Sequence, residues 1–279
     1  MVDSLLSVNE GAEAMRVNYA ILCVVVVVAT ACGNDHQEDT ASQTGAAAPS
    51  PAVETPQTPP ASTPAQTPPA TPAAGPAPSC PSGASVDPPP NELEPPVAQG
   101  PVTPQARLNQ LRYLMTRYPQ SATIRVRAAS MQLGPAPAGN PVEAQRLFQE
   151  ALRLHDAGCR LPEELEWEAN EGLGLAYMMQ TSYAAALPVF QQVTSRWPTI
   201  PQSRYNLACA YCRLNQIDPC HQAFVEALQI AAANQSPAFI TQETDAYHYV
   251  NLARQDPDLA PLRADPRFET AIAPYIRQP

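Results

Sequence analysis

Residues 167–200 read WEANEGLGLAYMMQTSYAAALPVFQQVTSRWPTI, and residues 201–234 read PQSRYNLACAYCRLNQIDPCHQAFVEALQIAAAN. The two segments share one pattern: leucine, a small residue and tyrosine, then a small residue, phenylalanine and a small or β-branched residue. The matching positions lie 34 residues apart: Leu173, Gly174, Tyr177, Ala186, Phe190 and Val193, then Leu207, Ala208, Tyr211, Cys220, Phe224 and Ala227. A fixed period of this length predicts repeated supersecondary units.

The order and the period resemble the tetratricopeptide repeat (TPR), a family in which each unit is a pair of antiparallel helices. The resemblance implies that the small residues, such as Gly174 and Ala186, lie where the two helices approach most closely. Asn170 and Arg204 depart from the family, which has tryptophan at this position. The expected fold is all-α, a TPR-like solenoid of helical hairpins with clear repeats at about 167–200 and 201–234.

Weaker signals extend this domain to residues 104–279. Ala144, Phe148 and Ala151 repeat the face of a second helix, and a Gly- and Pro-rich insertion at 134–139 separates two helices. Residues 236–279 resemble the segment that closes many bacterial TPR arrays. That resemblance implies that Leu259, Leu262 and Phe268 cover the last repeat.

The N-terminus resembles a bacterial lipoprotein signal peptide at residues 1–31. Arg16 precedes an apolar stretch of about 13 residues, which is shorter than the roughly 20 that a membrane span needs. The small residues 29–31 lead to Cys32, although the family prefers leucine at Ala29. Acidic residues within 1–14 do not suit a positively charged leader, so we expect translation to begin at Met15. The resemblance implies lipidation of Cys32 and a place in the cell envelope, at the outer membrane facing the periplasm. A soluble secreted protein and an uncleaved anchor are the alternatives.

Residues 32–103 are rich in Pro, Ala and Thr and have almost no large apolar residues. Such a segment cannot bury enough apolar surface to offset the entropy of ordering it. We predict a disordered tether that begins at the lipidated cysteine, or alternatively a proline-motif ligand for another protein.

The charge balance argues against nucleic acid as a partner. The net charge is -10, and all 16 basic residues are arginine, with no basic face evident in the sequence. We expect a protein or peptide partner, together with the membrane through the lipid anchor.

The resemblance also implies a concave groove lined by the first helix of each repeat. Methionines and a tyrosine form an adaptable apolar floor in this prediction, and glutamates form an acidic rim. The matching residues are Glu168, Glu171, Leu175, Met178, Met179, Gln202, Tyr205, Cys209, Cys212 and Arg213.

The cysteines Cys209, Cys212 and Cys220, with His221, leave three interpretations open. Cys220 occupies a small-residue position, which favours simple packing. A Cys212–Cys220 disulfide between the two helices is the second possibility, and a zinc or redox site is the third. Beside Cys32, five cysteines remain after cleavage, so at least one of them has no disulfide within a monomer.

No catalytic constellation is evident in the sequence. The acidic run Glu163, Glu164, Glu166, Glu168 and Glu171 suits a helix N-terminus, and no further catalytic group accompanies it. We therefore expect no enzyme activity, no cofactor and no metal. The predicted function is a membrane-anchored interaction scaffold of the cell envelope. The alternatives are an assembly or pilot lipoprotein of an outer-membrane machine, such as a pilus or a protein-insertion apparatus, and a metal- or redox-active cysteine protein.

Overall fold

The computed structural model describes Cys80 and residues 87–93, 103–134, 139–240 and 245–276. Within these ranges every regular element is a helix. None of the described helices combines the length and the apolar character needed to cross a membrane. The signal peptide, Cys32 and most of the predicted tether lie outside the described residues.

The structure is an all-α, TPR-like array of helical hairpins. Each helix from α2 to α9 packs on the next one, and α5 also contacts α3 and α7. The hairpins are therefore α3–α4, α5–α6 and α7–α8, and α3, α5 and α7 form the inner row. The helices are α1 (Pro90–Leu93), α2 (Pro104–Arg117), α3 (Ala122–Gln132), α4 (Pro141–Asp156), α5 (Glu163–Met179), α6 (Tyr183–Arg196), α7 (Pro201–Arg213), α8 (Ile217–Ala233), α9 (Ala246–Gln255), α10 (Ala260–Arg263) and α11 (Arg267–Ile272), with 3₁₀ helices at Pro257–Leu259 and Ala273–Tyr275.

The turns inside the two clear repeats have the same backbone structure. Thr181 in the α5–α6 turn and Asn215 in the α7–α8 turn are left-handed, with φ of 56° and 59°. In each turn the next residue, Ser182 or Gln216, donates its amide at 2.9 Å to the carbonyl of the consensus tyrosine. The period of 34 residues read from the sequence is therefore also a period of the backbone.

Two glycines on α5 fit against phenylalanines from the helices on either side. A β-carbon added at Gly174 would lie 2.5 Å from the Phe190 ring of α6, and one at Gly172 would overlap the Phe148 ring of α4. Both rings are fully buried. Gly174 thus lies at the closest approach within the α5–α6 hairpin, as the repeat pattern predicts.

The folded part includes a segment that precedes α2. Asp87 accepts hydrogen bonds from Ser121 Oγ at 2.5 Å and Thr123 Oγ1 at 2.9 Å. Glu92 on α1 accepts from Arg117 Nη1 at 3.1 Å. These bonds fasten residues 87–93 to α2 and to the start of α3.

A disulfide joins Cys80 to Cys159, which lies in the connection between α4 and α5. The boundary expected at Pro104 is therefore not the start of the folded part. Composition alone assigned residues 32–103 to a tether, and it missed the contacts of Cys80 and residues 87–93, which depend on partners far along the chain.

The C-terminal segment closes the array at α7 and α8. Leu259, Leu262 and Phe268, the residues expected to cover the last repeat, are buried. The Phe268 ring stacks on Phe224 of α8 with 5.7 Å between centroids. This segment takes the place that a further hairpin would occupy.

We expect Gly174→Leu to lower the free energy of unfolding by about 1–3 kcal/mol or more, because the new side chain collides with a buried ring. Urea denaturation measures the change. Ala184→Leu, at an exposed position on α6, is the control and should change stability little. Equal midpoints for Gly174→Leu and the wild type would show that the close approach is wrongly placed.

The two disulfides should contribute unequally to stability. The chain-entropy model gives about 4.5 kcal/mol for Cys80–Cys159, which encloses 79 residues, and about 2.5 kcal/mol for Cys212–Cys220, which encloses 8. Double replacement of each pair by alanine, followed by urea denaturation, compares them. A larger loss on removing the shorter loop would contradict this order.

Candidate functional site

The structure divides the predicted groove residues by exposure. The half-buried residues on α5 are Glu168, Leu175, Met178 and Met179, and Gln202 is half-buried on α7. Arg213 is exposed at the end of α7. The other predicted groove residues are buried: Glu171, Tyr205, Cys209 and Cys212.

Tyr205 does not lie on a groove floor, and the prediction is wrong at this position. Its side chain is fully buried, and its hydroxyl donates to Asp256 Oδ2 at 2.8 Å. Its ring packs near Tyr249 of α9, with 5.6 Å between centroids. The C-terminal segment covers this face of α7, because the last hairpin has no following hairpin to bury its apolar side.

Glu171 is not part of an acidic rim, and this prediction is also wrong. Its carboxylate accepts from Ser203 Oγ at 2.8 Å and from Asn206 Nδ2 at 2.5 Å, both on α7. Burial raises the pKa of Glu171 to about 7, although the two hydrogen bonds act in the opposite direction. The residue joins two hairpins instead of facing a ligand.

Similar polar links join successive elements along the inner row. Ser130 of α3 donates to Glu168 of α5 at 2.5 Å, and Glu171 then bonds to α7. Asp256 continues the series by accepting from α7. Each joint thus uses a carboxylate as acceptor, so that buried polar groups are satisfied where the inner helices meet.

A disulfide links Cys212 on α7 to Cys220 on α8, with their Cα atoms 5.2 Å apart. Of the three interpretations of the cysteines, the structure therefore has the bridge between the helices. Cys220 is also fully buried in the small-residue position. The bridge occupies both sulfur atoms, so a zinc site that needs Cys212 and Cys220 as ligands does not fit this arrangement.

The thiol of Cys209 lies beside two carboxylates of the C-terminal segment. It donates to Asp256 Oδ2 at 3.7 Å, and ligand atoms of Cys209, Asp256 and Asp258 lie within 4.8 Å of one another. Burial and the charge of Asp256 raise the pKa of Asp258 to about 6. Arg213, whose Nε lies 3.6 Å from Asp258 Oδ1, acts in the opposite direction and lowers this pKa. Arg263 donates to the Asp256 carbonyl. Arg213 thus offsets the charge of Asp258, Arg263 bonds to the backbone, and the cluster joins the segment to α7.

The acidic start of α5 is also used for packing. Glu166 is buried and lies 2.6 Å from Arg196 Nη2 and 3.5 Å from His155 Nε2. Glu163 accepts from Trp197 Nε1 at 3.2 Å. These carboxylates bond to α4, α6 and the turn after α6, which is a structural role.

Sequence reasoning missed Ser203, Asn206 and Asp256 as partners of the groove positions. The first two lie one residue from Gln202 and Tyr205, on the side of α7 that faces α5. Asp256 carried a readable signal, because aspartate before proline is a common helix cap, and here it accepts from the Asp258 amide at 2.9 Å.

Three half-buried apolar side chains of the inner row lie together on α5. Leu175, Met178 and Met179 are spaced i, i+3 and i+4, so they share one face of the helix. Glu168 lies two turns earlier on the same side of α5, and Gln202 holds the matching position of α7, 34 residues later. We call these five residues the α5 surface.

Removing the Tyr205 hydroxyl should cost about 1–3 kcal/mol, because Tyr205→Phe removes one of the donors that satisfy the buried Asp256 carboxylate. Tyr211→Phe removes a hydroxyl bonded to exposed Gln191 and should cost much less. Urea denaturation of both variants tests this. Equal losses would show that Tyr205 is not fastened to the C-terminal segment.

Comparisons with known proteins give limited similarity. No protein-family model matches the chain, and no curated protein matches it. Among solved structures, one titled "MamA RS-1 ArsTM double mutant" is 16% identical with a TM-score of 0.44. Another, MamA 41-end from Desulfovibrio magneticus RS-1, is 17% identical with a TM-score of 0.42. Each match covers 61% of this chain and 84% of the other.

Proposed function

We propose that the protein is an interaction scaffold of the cell envelope, tethered to a membrane, that binds a peptide or protein segment at the α5 surface. The observation that supports this proposal is a difference in burial between the inner helices α5 and α7. Tyr205 and Cys209 on α7 are covered by the C-terminal segment, whereas Leu175, Met178 and Met179 on α5 stay half-buried.

The chemistry of this face suits a protein ligand. Methionine side chains are flexible and polarizable, so they adapt to apolar side chains of different shapes. Glu168 and Gln202 add polar groups at the border, where Glu168 already accepts from Ser130. An apolar centre with a polar border is the usual arrangement of a protein interface.

Two disulfides among the described residues support an extracytoplasmic location, because disulfides persist in oxidising compartments. The lipid anchor rests on the sequence around Cys32. In this proposal Cys32 carries the acyl chains at the outer membrane, and residues 33–79 connect it to Cys80, which is bonded to the α4–α5 connection.

A binding role also fits the use of ionisable groups in the described part of the chain. Glu166, Glu171 and Asp256 are buried and bonded to neighbouring elements. A catalytic acid or base needs access to a substrate proton, and these three carboxylates are enclosed by the protein.

Photo-crosslinking in intact cells tests the binding face. A photoreactive amino acid at Met179 or Gln202 should give the same crosslinked partner, because both positions border one surface. The controls are Gln192 on α6 and Gln222 on α8, which are exposed on the second helices. A partner captured at the controls and not at Met179 or Gln202 would contradict the proposed face.

Mass spectrometry of the protein purified from the same cells tests the anchor. We expect a mature chain that begins at Cys32 and carries acyl chains. A chain that keeps residues before Cys32, or that begins at an unmodified Cys32, would contradict lipidation. The crosslinking experiment would still test the binding face, because it does not depend on the anchor.

A further inference from the structure

A hydrogen-bond network joins α5 to α7 through Glu171. The carboxylate accepts from Ser203 Oγ and Asn206 Nδ2. Ser203 Oγ also accepts from Trp167 Nε1 at 3.1 Å, and Gln202 Nε2 donates to Asn206 Oδ1 at 3.2 Å. The network therefore connects the start of α5 with Gln202 at the border of the α5 surface.

The groups that hold this carboxylate are all neutral. Arg204 on α7 pairs with Glu226 of α8 at 3.0 Å, and Arg125 on α3 pairs with Glu150 of α4 at 2.8 Å. The other charged residues of the inner helices are the exposed Arg127 on α3, the exposed Arg213 on α7, and Glu163, Glu164, Glu166 and Glu168 on α5. Glu166 pairs with Arg196, and Glu168 accepts from Ser130. Among the residues that the structure describes, an ionised Glu171 is thus a buried charge with hydrogen bonds and no cation in contact with it.

We propose that Glu171 makes the contact between the α5–α6 and α7–α8 hairpins depend on pH. The contact is more stable when Glu171 is protonated and less stable when it is ionised. A buried carboxylate without a cation is costly, whereas the neutral acid is accommodated at a much smaller cost. The protonated oxygen can donate to Ser203 Oγ once that hydroxyl rotates, because a serine hydroxyl is both donor and acceptor.

The direction of the pH effect follows from the pKa. Burial raises the pKa of Glu171 to about 7 in the folded chain, above its ordinary value of 4.5. Protons therefore bind the folded state more tightly than the unfolded state. The stabilisation is fully present below pH 4.5 and is lost as the pH rises through about 7. In an extracytoplasmic compartment whose pH follows that of the medium, the stability of this contact would change with the external pH.

Hydrogen exchange of the full chain, followed by mass spectrometry between pH 5 and pH 8 and corrected for intrinsic exchange rates, tests the proposal. In the wild type, the protection of α5 and α7 amides should fall by roughly fiftyfold to a hundredfold across this range, because the pKa of about 7 in the folded chain lies well above the ordinary 4.5. Glu171→Gln should remove most of this dependence from the α5 amides, because the amide does not ionise. The α7 amides should keep the part that comes from Asp258, whose pKa is about 6 and which pairs with Arg213. Glu164→Gln, at an exposed position on the same helix, should keep it.

Carbon-13 NMR titration of the Glu171 carboxyl in the wild type gives a second measurement that needs no variant. A midpoint near 7 supports the proposal. An ordinary midpoint near 4.5 would overturn it, and so would a Glu171→Gln variant whose protection depends on pH as the wild type's does. Both measurements are made without a partner, so their outcome is independent of the crosslinking result.

Discussion

The position of α5 between two phenylalanine rings is the constraint on which the array depends. Phe190 from its own hairpin and Phe148 from the preceding hairpin approach α5 where Gly172 and Gly174 have no side chain. These contacts bring α5 close to α4 and α6 together. Each hairpin buries its apolar face only against a neighbour. The distances of α5 from α4 and α6 therefore also determine how α3 and α7 pack against it.

The close packing of the inner row explains why so little of it is available to a ligand. Neighbouring inner helices meet through buried polar groups, and each such group needs a partner. Glu168, Glu171 and Asp256 provide acceptors at successive joints. Several residues that the repeat register assigns to a groove are therefore used to join the helices, and a half-buried apolar face remains on α5.

The sequence predicts the contacts within each hairpin well. It predicts the contacts between hairpins, and those with the terminal segments, poorly. The period of 34 residues placed Gly174 at the close approach of its two helices, because that contact lies within one hairpin. The burial of Tyr205 depends on Asp256, 51 residues further along the chain, and the docking of Asp87 depends on Ser121. Contacts over such separations have no local pattern, and composition assigned Cys80 to a tether although Cys159 holds it.

Hydroxyl-radical footprinting of the folded protein tests most directly whether the accessible part of the inner row is on α5. The side chains to compare are Met178, Met179 and Tyr205, all of which are intrinsically reactive. We predict rapid oxidation of the methionines and strong protection of Tyr205, which becomes reactive only on unfolding. Labelling of Tyr205 at a rate similar to that of half-exposed Tyr211 would show an open groove at α7 and would contradict the account.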